Sequence, residues 1–139
     1  MEDRYLYKAK TTPKEKGEFN NVWVAGNLIV SNGKYYIHPV GNVVNVKNEI
    51  GRIIVMHEVI PDTICRCTGR EDKNGKLIWE NDVVKINNSK VNTLITFRDF
   101  EIICTIPNEK YYKHRLEYDT EYEVIGNIFD NPELLESEG

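Results

Sequence analysis

The sequence predicts a mainly β fold with the architecture of a barrel or a sandwich. Most apolar residues fall in short runs rich in Val, Ile, Tyr, Phe and Thr, the residue types that favour strands. Gly, Asn, Asp and Pro separate these runs, as expected of tight turns. Helical periodicity is nearly absent. At 139 residues the chain is long enough to form a hydrophobic core of its own.

The first half of the chain is predicted to contain five strands, each bounded by a turn signal. They are Tyr5–Ala9, Val22–Val30, Tyr35–His38, Val43–Val46 and Ile53–Val59. The polar stretch from Thr11 to Glu18 is predicted to be a loop. Proline then interrupts the strand pattern at Pro61, so we place a boundary there between portions 1–62 and 63–139, with one compact unit as the alternative.

The second half is predicted to contain six strands and a short C-terminal helix. The strands are Ile64–Cys67, Lys76–Trp79, Val83–Asn87, Asn92–Phe97, Glu101–Ile106 and Tyr122–Ile128. The stretch from Asn108 to Tyr118 fits either a loop or one or two helical turns. The helix Asn131–Leu135 is predicted from Asn131 as the N-cap and Pro132 at the first helical position.

Two turns between these strands have strong local signals. Asp72–Gly75 contains Asn-Gly, the pair that supplies both positive-φ residues of a type I′ hairpin turn. We expect Trp79, after this hairpin, to be a packing residue because aromatic side chains mostly serve burial. Glu80–Val84 predicts a second tight turn, in which Asp82 bonds to local backbone and is not a catalytic carboxylate.

The charge of the chain bears on nucleic-acid binding, and the lack of a targeting or membrane segment predicts a cytoplasmic protein. The net charge is −4, the sequence pI is about 5.4, and Lys and Arg are scattered without a basic block. Nucleic-acid binding is therefore not favoured, since its main driving force is phosphate neutralisation. The N-terminus lacks a signal peptide and no apolar run is long enough to span a membrane. The three cysteines are expected to be reduced.

No residues form a recognisable catalytic or metal-binding motif. Cys65 and Cys67 are expected on one face of a strand, a spacing that suits a zinc knuckle poorly, so buried thiols are favoured over a metal site that also uses Cys104. The histidines, which lie in separate segments, are expected to be surface or packing residues: His38, His57 and His114. We therefore predict no catalytic residues, no metal and no cofactor.

One stretch interleaves basic and aromatic residues, the composition that binds single-stranded nucleic acid. Its candidate binding residues are Tyr111, Tyr112, Lys113, His114 and Arg115. Acidic neighbours between Glu109 and Glu123 reduce its positive field, so a solvated loop or a contact between subunits is favoured. Trp23 and the pair Tyr35-Tyr36 are expected to be core or sheet-face residues and not a stacking platform.

Two motifs in the second half resemble the YopX family of phage and prophage proteins. The first runs from Thr68-Gly69 through Asp72–Lys76 to Trp79–Lys85, and the second joins Tyr122–Ile128 to Asn131–Leu135. The resemblance extends upstream through Trp23-Val24-x-Gly26, Tyr35–Pro39 and Val59–Thr63. Two positions depart from the family pattern: Cys67 replaces an aromatic residue, and Asn81 replaces glycine, which asparagine can do because it tolerates positive φ.

The resemblance implies an SH3-like β-barrel in the C-terminal half, a β-rich N-terminal portion, a phage or prophage origin and the formation of homo-oligomers. It implies no established activity, and SH3-like barrels serve many functions. We expect a non-enzymatic module that binds a host or phage protein in the host bacterial cytoplasm. The alternatives are a nucleic-acid-binding accessory protein that uses residues 111–115 and, less favoured, a small ribonuclease-like enzyme.

Overall fold

The computed structural model describes residues 5–13, 20–39, 47–48, 51–52, 56–98, 101–106, 113–116 and 120–136. Within these ranges the chain forms thirteen strands and short 3-10 turns but no α-helix. The mainly β prediction is therefore confirmed. No helix in the described ranges is long and apolar enough to cross a membrane. The chain divides into two compact units, Met1–Arg66 (unit 1) and Cys67–Gly139 (unit 2).

Unit 1 is built on an antiparallel sheet whose strand order is β6-β3-β2-β1-β7. Its strands are β1 (Tyr7–Lys10), β2 (Trp23–Ser31), β3 (Lys34–Pro39), β6 (His57–Glu58) and the first two residues of β7 (Cys65–Glu71). Two further strands, β4 (Lys47–Asn48) and β5 (Gly51–Arg52), pair only with each other in the described ranges. The predicted strand Val43–Val46 lies outside the described residues.

A two-residue turn at Asn32-Gly33 sets the register between β2 and β3. Both residues have positive φ, 52° and 74°, and Ser31 pairs with Lys34 across the turn. This is the backbone of a type I′ turn, whose twist matches that of the flanking strands. The Asn-Gly pair thus fixes which residues of β2 and β3 face the core.

Strand alternation places the apolar residues of unit 1 on one face of its sheet. Ala9, Ile37 and Val59 are fully buried there. Partly buried side chains pack around them: Tyr7, Val24, Leu28, Tyr35 and Ile64. Because side chains alternate between the two faces of a strand, the intervening residues of β1, β2 and β3 form the opposite face.

Unit 2 contains a hairpin and a five-stranded antiparallel sheet. The hairpin pairs β7 with β8 (Leu77–Trp79). The sheet has the order β12-β11-β10-β9-β13. Its strands are β9 (Asp82–Ile86), β10 (Thr93–Arg98), β11 (Glu101–Thr105), β12 (Lys113–Arg115) and β13 (Tyr122–Asn127).

The core of unit 2 gathers one buried residue from each of five strands. These residues are Ile78, Val84, Ile95, Cys104 and Tyr122. Ile86, Ile102, Leu116 and Val124 pack against them. Burying one aliphatic side chain of this cluster contributes about 1.5–3 kcal/mol to stability.

The described strands of unit 2 do not close into a barrel, so the SH3-like barrel stays a prediction. Two other predictions for unit 2 need correction. The predicted C-terminal helix is a 3-10 helix, Pro132–Leu135, and although Asn131 occupies its N-cap position, the Asn131 side chain does not cap it. Within the stretch Asn108–Tyr118, predicted as loop or helical turns, Lys113–Arg115 form a strand because they pair with β11.

Candidate functional site

The β7–β8 turn has a different geometry from the predicted type I′ turn. Gly75 has a φ of 80°, but Asn74 is not in the left-handed region. The Gly75 N–H donates to the Asp72 carbonyl at 3.0 Å, and the Asp72 N–H donates to the Lys76 carbonyl at 2.7 Å. These bonds define a three-residue connection, a type I turn followed by one left-handed residue. The backbone conformation of this turn therefore requires glycine at position 75 but places no such requirement on position 74.

This geometry predicts unequal effects of alanine at the two neighbouring positions. Asn74→Ala should change the free energy of unfolding by less than about 0.5 kcal/mol, because Asn74 is exposed and its φ suits any residue. Gly75→Ala should cost about 1–2 kcal/mol through backbone strain alone, since a Cβ there meets no atom within 4 Å. Urea unfolding of both variants provides the measurement. Equal losses would indicate the type I′ turn instead.

The carboxylate of Asp72 joins the hairpin turn to β13. Its Oδ1 accepts hydrogen bonds from the N–H groups of Asn74 and Lys76, both at 2.9 Å. Its Oδ2 accepts from the Val124 N–H at 3.0 Å. Beside it, the Lys73 N–H donates to the Tyr122 carbonyl at 2.8 Å. The turn therefore covers part of the outer edge of β13.

The pKa of Asp72 lies below its ordinary value. Burial raises the pKa, but three backbone N–H donors and the charge of Lys76 lower it and outweigh the burial. The three N–H groups that donate to Asp72 all belong to the backbone, and this is the arrangement of a structural anchor.

The Thr68-Gly69 pair forms a bulge in β7. Gly69 has a φ of 79°, and the register of β7 against β8 shifts between Cys67 and Glu71. The Thr68 hydroxyl donates to the Ile78 carbonyl at 2.7 Å and accepts from the Arg70 N–H at 3.1 Å. The extra residues are thus tied to β8, and the pair is explained by strand geometry.

The second tight turn follows Trp79. Asn81 has a φ of 72°, which confirms the expectation that asparagine takes a positive φ here. The Asp82 carboxylate is buried and its Oδ2 accepts from the Trp79 N–H at 2.8 Å, so it bonds to local backbone. The Asn81 N–H donates to the Ile95 carbonyl at 2.8 Å. The turn is therefore fixed to β10.

The C-terminal motif uses asparagine side chains to order the chain after β13. Asn127 Oδ1 accepts from the N–H groups of Phe129 and Asp130, both at 2.9 Å. Asn131 Oδ1 accepts from the Asn127 N–H at 3.2 Å. The Asn92 side-chain amide then donates to the Leu134 carbonyl at 2.8 Å. These contacts hold the 3-10 helix against unit 2.

The predicted binding stretch lies on and before β12. Lys113, His114 and Arg115 form this strand, which pairs with Cys104 and its neighbours on β11. Tyr111 and Tyr112 lie outside the described residues. Among the described strands, none pairs with the other side of β12. The sequence-based hypothesis of a binding surface here therefore stays a prediction, now attached to a strand at a sheet edge.

The remaining candidate residues occupy separate places. The three cysteines are buried, as predicted. Trp79 is also buried, which confirms its predicted packing role. His57 is buried and pairs with Ile37, whereas His38 is half-buried and pairs with Asn27 on the opposite face of the unit 1 sheet. The absence of catalytic, metal and cofactor sites stays a prediction.

One cluster in unit 1 was missed by reasoning from the sequence. The ammonium groups of Lys8 and Lys10 lie 4.7 and 5.5 Å from the ring centroid of Trp23. Lys10 pairs with Trp23 across β1 and β2, so the three side chains share one face. The alternation Lys8-Ala9-Lys10 indicates that the two lysines lie on one face of a strand. The sequence does not show that this strand pairs with the strand of Trp23.

One family model matches nearly the whole chain. It is described as YopX protein and covers residues 3–136. No curated protein matches the chain. The matched range includes the hairpin anchor at Asp72, the bulge at Gly69 and the asparagine turns after β13, so the features described above lie within the part of the chain that the family model describes.

Proposed function

Because the chain belongs to the YopX family, we propose that it is a non-enzymatic, phage- or prophage-encoded module that binds a host or phage protein in the bacterial cytoplasm. The observation that supports this proposal is the position of β12 at the edge of the five-stranded sheet. A partner segment can add to such an edge through backbone hydrogen bonds.

The hydrogen-bond pattern of β12 identifies which backbone groups face away from the sheet. The Leu116 N–H donates to the Ile102 carbonyl at 3.2 Å. Inward and outward groups alternate in an antiparallel pair, so the N–H of His114 also faces β11, whereas those of Lys113 and Arg115 face outward. These two outward N–H groups are the proposed attachment points.

The opposite edge of the same sheet is less suited to strand addition. The hairpin turn already bonds to β13 at Tyr122 and Val124. A register irregularity between Val124 and Gly126 distorts the rest of that strand. We therefore propose β12 as the edge that binds the partner, and the basic composition of this strand favours an acidic partner segment.

We also propose that unit 2 is a variant of the SH3-like barrel that the family resemblance implies. Two features of the five-stranded sheet support this: β9, β10 and β11 form a meander, and β13 returns to pair with β9. The fold itself assigns no function.

The proposal is tested by Arg115→Pro in the full chain, used as bait in lysate of the infected host. Proline removes the outward N–H of residue 115 and leaves the β11–β12 bonds intact, as edge strands allow. We expect at least about a tenfold loss of the captured partner. Arg115→Ala is the matched control, because it removes the same side chain but keeps the N–H, and it should lose much less capture than Arg115→Pro.

Nuclease treatment separates the outcomes of this experiment. A protein partner that survives nuclease and is lost only with Arg115→Pro would support strand addition at β12. Equal capture by the wild type and Arg115→Pro would contradict it. Partners that disappear entirely on nuclease treatment would contradict a protein-binding module and favour a nucleic-acid-binding protein.

A further inference from the structure

The sheet of unit 1 has a second face that differs in composition from its core face. Strand alternation places Lys8 and Lys10 of β1, Trp23 of β2, and Lys34, Tyr36 and His38 of β3 on this face. We call these six residues the basic–aromatic face. None of the residues that β1, β2 and β3 place on this face is Asp or Glu. The first acidic residue in the neighbouring strand is Glu58 of β6, which pairs with Tyr36.

The central part of this face is open to solvent. Ala25 and Asn27, which lie between Trp23 and the end of β2, are both exposed. Asn27 pairs with His38, and Ile29 pairs with Tyr36, so the two rings on β3 flank this exposed region. Cys65, opposite Lys8 on β7, is buried, so the open region is formed by β2 and β3.

The ammonium groups of Lys8 and Lys10 lie near the Trp23 ring at one end of the face. Because both ammonium groups lie near one ring centroid, they are within about 10 Å of each other. Lys34 is exposed at the opposite end, beside the β2–β3 turn. Half-buried rings therefore lie between two sources of positive charge.

The overall charge of the chain conceals a difference between the two units. Unit 1 contains nine Lys and Arg residues against seven Asp and Glu residues, and unit 2 contains nine against fifteen. Unit 1 is therefore net positive, and unit 2 accounts for the acidic balance of the chain. The net positive charge of unit 1 therefore favours an anionic ligand, even though the whole chain is acidic.

We propose that the basic–aromatic face binds single-stranded nucleic acid, with Lys8, Lys10 and Lys34 contacting phosphates and the rings of Tyr36 and His38 stacking on bases. Single strands expose base faces that a duplex hides, and stacking on aromatic side chains is tolerant of sequence. The proposal concerns a different surface and a different partner from the strand addition at β12.

The test uses fluorescence anisotropy to measure how tightly the full chain binds a labelled single-stranded oligonucleotide of about 15 nucleotides at about 50 mM salt. The double variant Lys8→Glu/Lys10→Glu should bind at least about tenfold more weakly. Its matched control, Lys85→Glu/Lys90→Glu, changes the net charge equally but lies in unit 2, and it should bind nearly as well as the wild type. Circular dichroism confirms folding.

Two further measurements test phosphate contact and stacking separately. Each lost phosphate contact should reduce the slope of log affinity against log salt by about 0.7, so Lys8→Ala/Lys10→Ala should reduce it by about 1.4. Tyr36→Ala should weaken binding roughly tenfold, whereas Tyr36→Phe, which keeps the ring, should not.

Three results would overturn the proposal. The first is no binding of single-stranded DNA or RNA by the wild type at low salt. The second is equal binding by the two double charge variants. The third is binding of the duplex, or of polyglutamate as a competitor, as tightly as the single strand, because the face would then respond to charge without stacking on bases.

Discussion

Replacing Asp72 with alanine should lower the free energy of unfolding of unit 2 by about 3 kcal/mol. The substitution leaves three N–H groups, those of Asn74, Lys76 and Val124, without their shared acceptor. It also removes the side-chain bond between the hairpin turn and β13, although the backbone bond from Lys73 to Tyr122 remains. Trp79 lies in unit 2 and Trp23 in unit 1, so urea unfolding followed by Trp79 fluorescence in a Trp23→Phe background reports the affected unit.

Glu71→Ala provides the matched control for this experiment. Glu71 is the preceding residue and is also acidic, but its side chain is exposed. The control should change the free energy of unfolding by less than about 0.5 kcal/mol. A similar loss in both variants would show that removing negative charge from the hairpin, and not the loss of the Asp72 hydrogen bonds, causes the destabilisation.

The contribution of Asp72 should also depend on pH. Its pKa in the folded protein is lowered from the ordinary value of 3.8. Its stabilisation is therefore fully present above that value and is lost as the pH falls below it, through the lowered pKa of the folded state. The difference in stability between the wild type and Asp72→Asn should stay constant from about pH 7 to pH 5 and shrink below about pH 4. A difference that grows on acidification would contradict this assignment.

Replacing Gly26 with alanine should destabilise unit 1 by about 3 kcal/mol. A Cβ at this position would overlap the carbonyl oxygen of His38 and lie 2.9 Å from the Cα of Pro39. These are backbone atoms, so β3 would have to move away from β2. The measurement is urea unfolding followed by Trp23 fluorescence in a Trp79→Phe background.

Ala25→Ser is the control for the Gly26 variant. Ala25 is adjacent on the same strand and exposed, so the added hydroxyl meets water and stability should stay within about 0.5 kcal/mol of the wild type. If Gly26→Ala were as stable as this control, the close approach of β2 and β3 at Gly26 would be wrong.

Strand positions were predictable because the alternation of apolar residues is local information. The predicted strands Val22–Val30 and Glu101–Ile106 correspond to β2 and β11 within one residue at each end. The left-handed backbone of Asn81 was predictable for the same reason, since asparagine tolerates that conformation. Such features depend on neighbouring residues only.

The geometry that depends on distant partners was not predictable. The turn at Asn74-Gly75 follows the type I form, and the Asp72 carboxylate that bonds within this turn also bonds to Val124, fifty-two residues away. The strand Lys113–Arg115 forms only because β11 is beside it. The basic–aromatic face likewise depends on the pairing of β1 with β2, which joins Lys10 to Trp23. Sequence patterns do not supply such pairings.

The attachment of the Asp72 turn to β13 has a consequence for synthesis on the ribosome. Unit 2 pairs β9, near its start, with β13, near its end, so its sheet is complete only after β13 has left the exit tunnel. The central pairings of unit 1, by contrast, lie within the first 66 residues of the chain. We expect unit 1 to fold before β13 has emerged and unit 2 to fold only after it. A stop codon before Tyr122 would therefore leave a folded unit 1 attached to an unfolded remainder.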